Sequence, residues 1–228
     1  MKTQSRLCVA LDLENKNDCF ALIDKIQALP IVVKVGLRLL PFFTEADWKK
    51  IRDKKLEFFL DAKLHDIPTQ VESSVKAWCD LGASFLTLHL SGGRKMLELA
   101  SRAREGSSLR LLGVSVLTSL SQKDIEELNF GQNSQEVVSR WAKIAFESGV
   151  DSFVSSVAEV PAIRALQASA YCCCPGIRMP GEAVHSDQNR SYEVQEAVAQ
   201  GVNLLVVGRS VLKAKDPRAQ IEKIISFL

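Results

Sequence analysis

The segment Asp61-Ala62-Lys63-Leu64-His65-Asp66-Ile67-Pro68 places two carboxylates, an ammonium and an imidazole directly after the apolar run 58–60. In an extended segment Asp61 and Lys63, two residues apart, point to the same face. A carboxylate beside a lysine keeps the lysine ionised and fixes its position, at a large desolvation cost if either partner is missing. Lys34 lies inside the apolar run 31–35 and can join the pair if that run is the neighbouring strand. The chemistry on offer is a fixed cationic charge inside a pocket; the plain alternative is an ion-pair network at a strand end.

A second group lies near the end of the chain. Gly208-Arg209 follows the apolar run 204–207 and begins a helix, which offers backbone N–H groups and a guanidinium to a phosphate. The long stretch 175–190 adds Pro175, Arg178, Gln188 and Arg190. Surface charge at a helix end is the competing reading of Arg209. Asp12 follows the run 7–11, His89 precedes Ser91, Gly92 and Gly93, and Thr118 and Ser119 follow the run 111–116. His65, His89 and His185 show no metal-like spacing, so no metal site is expected. Thr69 with Glu72 reads as a capping box, Ser119 has no evident base partner, and Trp48, Trp78 and Trp141 read as helix-face core.

The elements that must position these residues alternate. Strand-like runs fall at 7–11, 31–35, 58–60, 85–88, 111–116, 153–154, 171–174 and 204–207, the sixth being the weakest. Between them the apolar residues recur with helical period, as in Cys19, Leu22, Ile23, Ile26 and Leu29, or Val137, Val138, Trp141, Ile144 and Ala145. Gly82 and Gly149 end helices, and Asp216-Pro217 opens a last one with the apolar face Ile221, Ile224, Ile225 and Leu228. Eight strand-then-helix units predict an α/β fold, a (β/α)8 TIM barrel formed by residues 1–228 as a single catalytic domain. A doubly wound sheet is the rival, but Ala10-Leu11-Asp12-Leu13 after the first run carries no G-x-G-x-x-G. In the barrel the polar residues above follow the C-terminal ends of the strands, where such barrels place their sites.

Composition narrows the functions further. Of 228 residues, 46% are apolar and 25% charged, enough for a sizeable core and unlike a disordered chain. Twenty-nine Lys and Arg against 27 Asp and Glu leave a formal charge of +2, too balanced for a nucleic-acid binder, so an anionic ligand must meet a local cluster. No apolar run reaches the roughly 18 residues of a membrane span, and no signal peptide opens the chain, so a cytoplasmic protein is expected. The six cysteines, including the run Cys172-Cys173-Cys174, read as reduced thiols buried in strands, because adjacent strand residues face opposite ways and cannot share one metal ion.

Taken together, Ala10-Leu11-Asp12, Val33-Lys34-Val35-Gly36, Asp61-x-Lys63-x-His65-Asp66-Ile67-Pro68, His89-x-Ser91-Gly92-Gly93, Leu117-Thr118-Ser119, Pro175-Gly176-Ile177-Arg178 and Val207-Gly208-Arg209-Ser210 resemble the orotidine 5'-phosphate decarboxylase family almost end to end. The resemblance implies a homodimeric barrel that converts orotidine 5'-monophosphate to UMP and carbon dioxide in pyrimidine synthesis, without metal or organic cofactor. Lys63 would protonate C6, within a charged array of Lys34, Asp61, Lys63 and Asp66 in which Asp66 reaches the partner's site. Asp12 would hold the ribose with Lys34, Thr118 and Ser119 would face the base, and Arg178, Gln188, Gly208 and Arg209 would grip the phosphate. The family usually has Thr where this chain has Gln70, beside Thr69, as a contact from the partner chain, and often Thr where Cys174 precedes Pro175. Two rivals remain. One is the related magnesium-dependent sugar-phosphate decarboxylases and aldolase-like synthases, which place a metal-binding Glu where this chain has Lys34, a residue that repels a divalent ion. The other is a catalytically silent phosphate-binding barrel.

Overall fold

A computed structural model describes residues 5–117, 119–131, 133–182 and 191–228. The apolar runs fold as parallel strands β1 (Arg6–Ala10), β2 (Val32–Gly36), β3 (Glu57–Leu64), β4 (Phe85–His89), β5 (Arg110–Val114), β6 (Ser152–Val154) and β7 (Tyr171–Cys174). A short parallel pairing of β8 (Ile177–Arg178) with β9 (Tyr192–Glu193) follows, and then β10 (Leu204–Val207). The order β1-β10-β7-β6-β5-β4-β3-β2 closes into a barrel. Closure leaves no sheet edge and rules out the doubly wound alternative. The intervening helices are α1 (Lys16–Ile26), α2 (Glu45–Asp53), α3 (Pro68–Asp80), α4 (Gly93–Ala103), α5 (Gln122–Glu127), α6 (Ser134–Glu147), α7 (Val160–Leu166), α8 (Val194–Ala199), α9 (Arg209–Leu212) and α10 (Pro217–Ile225).

Strand alternation sorts the apolar residues into two cores. Leu7, Val9, Val33, Val35, Phe58, Leu60, Leu205 and Val207 pack outward against helix residues such as Ile23, Ile26, Val75 and Ile224. Cys8, Ala10, Val32, Phe59, Phe85, Leu112, Cys173, Leu204 and Val206 form a separate cluster drawn from strands alone, which is the barrel interior. Burial of such side chains stabilises the fold by roughly 1.5–3 kcal/mol for each large one. The rings of Phe59 and Phe85 meet at 5.9 Å between centroids with their planes tilted by 57°, and fill the interior below the site. Cys172 and Cys174 face the helices while Cys173 faces inward, and all the cysteines are free thiols.

Helix ends follow the sequence with one correction. Asn15 and Asp216 cap α1 and α10 through their side chains, and Gly82 and Gly149 adopt φ of +74° and +82° after α3 and α6. The expected Thr69–Glu72 capping box does not form. Pro68 begins α3 two residues before a Thr69 cap would, with Ile67 at the cap position. Proline is pre-set for the first helical position, so Thr69 falls inside the helix and Glu72 pairs instead with Lys76 at 2.8 Å. Among the described residues no helix is long and apolar enough to cross a membrane.

Candidate active site

Inward alternation carries past the apolar interior into charge. On β2, Val32 faces inward and so does Lys34, two residues on; on β3, Phe59 is followed by Asp61. The register pairs Ala10 with Lys34 and Lys34 with Phe59, so Asp61 stands two residues above the Phe59 level, opposite Gly36. Lys34 Nζ lies 3.1 Å from Asp61 Oδ2 and 3.4 Å from Asp12 Oδ1, and Lys63 Nζ lies 2.7 Å from Asp61 Oδ1. Gly36 adjoins this cluster: a Cβ there would sit in ordinary contact, 3.4 Å from Lys34 Nζ and 3.5 Å from Asp12 Oδ1.

Burial would push the Asp61 carboxyl up, but the Lys34 and Lys63 ammonium groups and their hydrogen bonds hold it below the usual carboxylate range. Burial would likewise lower Lys34, and the Asp61 and Asp12 carboxylates reverse that and raise it. Two ammonium groups thus flank one buried carboxylate, with Asp12 pairing Lys34 from the exposed side.

The route by which Lys63 reaches Asp61 differs from the expected extended strand. Lys63 has φ +49°, the left-handed region, and the β3–β4 register shifts between Leu60 and Leu64. This conformation costs a non-glycine residue roughly 1–2 kcal/mol. A residue missed from sequence compensates: Thr87 on β4, buried, accepts the Lys63 backbone N–H at 2.9 Å and donates to Asp61 Oδ1 at 3.0 Å. A polar residue at an inward position, between Phe85 and His89, was the available signal.

A cavity of about 650 Å³ opens over the array. The sequence candidates Asp12, Lys34, Asp61, Lys63, Pro175, Arg178, Gly208 and Arg209 line it, together with Arg38, Glu182 and Ser210, which were not among them. Gly208 precedes α9, so Arg209 opens a helix at the C-terminal end of β10. Arg178 donates to Glu193 Oε1 and to the Glu182 carbonyl, both at 3.0 Å. Glu182 in turn accepts the Met179 backbone N–H and the Ser210 hydroxyl.

Other expected residues lie elsewhere. Asp66 is exposed, accepts the Ile67 N–H at 2.6 Å and lies outside the cavity lining of its own chain. Thr69, Gln70 and Ser119 are exposed. Thr118, His185, Gln188 and Arg190 lie outside the described residues. Sequence spacing gave no reason to pair His65 and His89, yet their rings stand 5.4 Å apart beside Lys63. Burial, with the neighbouring His65 and Lys63 charges, lowers the His89 pKa. Among the described residues no group of three potential ligands is placed to hold a metal.

A parallel (β/α)8 barrel with a charged cavity at the C-terminal ends of its strands, lysines at its floor and arginines at its wall, defines a barrel enzyme built for a small anionic substrate. Comparison with known proteins makes this particular. Residues 5–224 match the Orotidine 5'-phosphate decarboxylase / HUMPS family, and the chain belongs to that family. An orotidine 5'-phosphate decarboxylase of Hahella chejuensis is 35% identical over 223 residues, 96% of this chain and 95% of its own. That of Saccharophagus degradans is 36% identical over 222 residues, 96% and 93% of the two chains. The crystal structure of orotidine 5'-phosphate decarboxylase from Lactobacillus acidophilus superposes with a TM-score of 0.86 at 30% identity, covering 98% of this chain and 99% of that one.

Proposed function

We infer that this chain decarboxylates orotidine 5'-monophosphate to UMP and carbon dioxide, a step of pyrimidine biosynthesis, and we propose that Lys63 is the proton donor. The observation that carries the reading is the Lys34–Asp61–Lys63 array in a cavity that Arg209 also lines. In the reaction the bond from C6 to the carboxylate carbon breaks, the electron pair stays on C6, and carbon dioxide leaves. A carbanion there is poorly delocalised into the ring, so a fixed ammonium beside C6 stabilises the transition state more than the ground state. Lys63 then transfers a proton from Nζ to C6 and recovers one from solvent. Asp61 orients Lys63, and Lys34 keeps Asp61 ionised. No cofactor or metal takes part, and Lys34 repels the divalent ion that the magnesium-dependent relatives require.

Binding divides along the cavity. Asp12 with Lys34 holds the ribose, Thr118 and Ser119 face the base, Arg178, Gln188, Gly208 and Arg209 hold the phosphate, and Pro175 contacts the substrate. Phosphate binding there is worth most if it also draws the segment after β7 over the site and excludes water. The working unit is a cytoplasmic homodimer of one catalytic domain per chain, with Asp66 completing the partner's array and Thr69 and Gln70 touching the partner's substrate. The exposure of Asp66, and of Leu37 and Ile67 after the ends of the adjacent strands β2 and β3, supports this.

The test is conversion of orotidine 5'-monophosphate in chelator-containing buffer, followed by ultraviolet absorbance with UMP identified by chromatography. Wild-type conversion that Lys63→Ala abolishes, with UMP binding retained, is the expected result. A folded wild type without activity, or an active Lys63→Ala, overturns the reading. Mixing Lys63→Ala with Asp66→Ala chains tests the shared site: mixed dimers regain activity only if each chain completes the other.

A further inference from the structure

The β3–β4 ladder is interrupted at one place. Its register runs Phe59↔Phe85 and Leu60↔Leu86, then resumes at Leu64↔Leu88. Asp61, Ala62 and Lys63 therefore stand opposite Thr87 alone. The bulge lifts Lys63 toward the cavity, and it removes the Lys63 N–H from ordinary strand pairing. An amide left unpaired at such a depth is costly, and a lysine in the left-handed region returns to commoner conformations unless something holds it.

The Thr87 hydroxyl supplies both needs. It is 1% exposed, so water does not compete for it. Its oxygen accepts the Lys63 N–H at 2.9 Å, which leaves its single proton to be donated to Asp61 Oδ1 at 3.0 Å. The same Oδ1 accepts Lys63 Nζ at 2.7 Å. One hydroxyl thus closes a ring through the backbone and the side chain of Lys63 by way of Asp61.

We propose that Thr87 is a positioning residue for the decarboxylation, holding Lys63 at the place from which it acts on C6. The proposal rests on the reading of Lys63 as proton donor. Thr87 is buried and does not line the cavity; it sets where the ammonium stands and how the carboxylate beside it is turned. Displacement of a catalytic group by about 1 Å costs on the order of 100-fold in rate.

The experiment measures kcat, KM and the pH profile for orotidine 5'-monophosphate in wild type, Thr87→Val, Thr87→Cys and Thr87→Ser, with Lys63→Ala as reference and circular dichroism to establish folding. Thr87→Val keeps the shape and removes the hydroxyl, while Thr87→Ser keeps the hydroxyl. The expected result is a kcat lower by about 10- to 100-fold in Thr87→Val, with KM changed less than about threefold, and recovery to within about threefold of wild type in Thr87→Ser. Loss of a hydrogen bond to the ionised Asp61 also moves the acid limb of the profile to higher pH in Thr87→Val and not in Thr87→Ser. Should Thr87→Val fail to fold, Thr87→Cys, which replaces the hydroxyl with a weak thiol donor, carries the same expectation. A folded Thr87→Val or Thr87→Cys with wild-type kcat and profile, or a Thr87→Ser as impaired as Thr87→Val, overturns the proposal while leaving the decarboxylase reading intact. An inactive wild type, or an active Lys63→Ala, brings down that reading and this proposal with it.

Discussion

Asp61→Asn is the sharpest perturbation of the array. Among the described residues Asp61 Oδ1 takes two donors, Lys63 Nζ and the Thr87 hydroxyl, while Oδ2 takes Lys34 Nζ. An asparagine keeps one acceptor and turns it toward the two donors, which sets its amide NH2 against the Lys34 ammonium. Lys34 then retains Asp12 at 3.4 Å, whose side chain is 57% exposed and screened by water. At 3.1 Å the Lys34–Asp61 attraction is about 5 kcal/mol for an effective dielectric constant of about 20, against which desolvation works. Removing one partner of such a buried pair costs about 3–5 kcal/mol. The Lys63 contact adds little, because that side chain is 30% exposed.

For a chain of this size the loss translates to a melting temperature lower by about 6–20 °C. Thermal and urea unfolding followed by circular dichroism measures it. The pH dependence has a definite sign. Asp61 titrates below its unfolded value of about 3.9, so its contribution is complete above that pH and is lost as pH falls through the lower folded value. Lys34 titrates above its unfolded value of about 10.4, so its contribution is complete below that pH and is lost as pH rises through the higher folded value. The advantage of wild type over Asp61→Asn is therefore full at pH 7 and shrinks below about pH 4. An Asp61→Asn within about 0.5 kcal/mol of wild type at pH 7, or a difference that stays flat through the acid range, would refute the reasoning.

Arg209→Ala is expected to raise KM by about 10- to 100-fold with a smaller effect on kcat, from lost charge-assisted hydrogen bonds to phosphate; steady-state kinetics with an unchanged KM would count against the assignment. Cys8, Cys173 and Cys174 are buried in strands and burial drives their thiols far up, while Cys172 is pushed up to about 11. Titration of the native protein with a chromogenic disulfide at neutral pH should therefore modify half-buried Cys79 first and the Cys172–174 run only on unfolding. Gly149→Ala places a Cβ at φ +82° and 2.5 Å from Ser101 Oγ, and should cost about 1–2 kcal/mol in urea unfolding.

The strands were legible because a buried parallel strand is apolar throughout, and Asp12, Lys34, Asp61, Pro175, Arg178, Gly208 and Arg209 were legible because each follows or interrupts such a run. What escaped depends on departures from regular geometry. Periodicity assumes an unbroken strand, so it brought Lys63 to Asp61 by the wrong backbone path and gave Thr87 no task. The Thr69–Glu72 pattern fits a capping box, yet Pro68 fixes the helix start two residues sooner. The approach of His65 to His89, and of Glu182 to Ser210, joins residues far apart in sequence through the pairing of neighbouring strands, which no local pattern encodes.

Closure itself bears on how the chain acquires its shape. β1 pairs with β2 on one side and, on the other, with β10, Arg6 standing opposite Leu204. The last ladder thus joins strands separated by nearly the whole sequence, and α10 packs on α1 beside it. Loop-closure entropy makes such a contact late in folding, and parallel pairing has no tight turn to speed it. Until β10 docks, an emerging chain is an open sheet with the apolar edge of β1 unpaired, a template for pairing with other chains. The eighth stave is thus the one that turns an adhesive intermediate into an edgeless barrel, and with Gly208 and Arg209 directly after it, the same docking event brings the phosphate-facing end of the cavity into being.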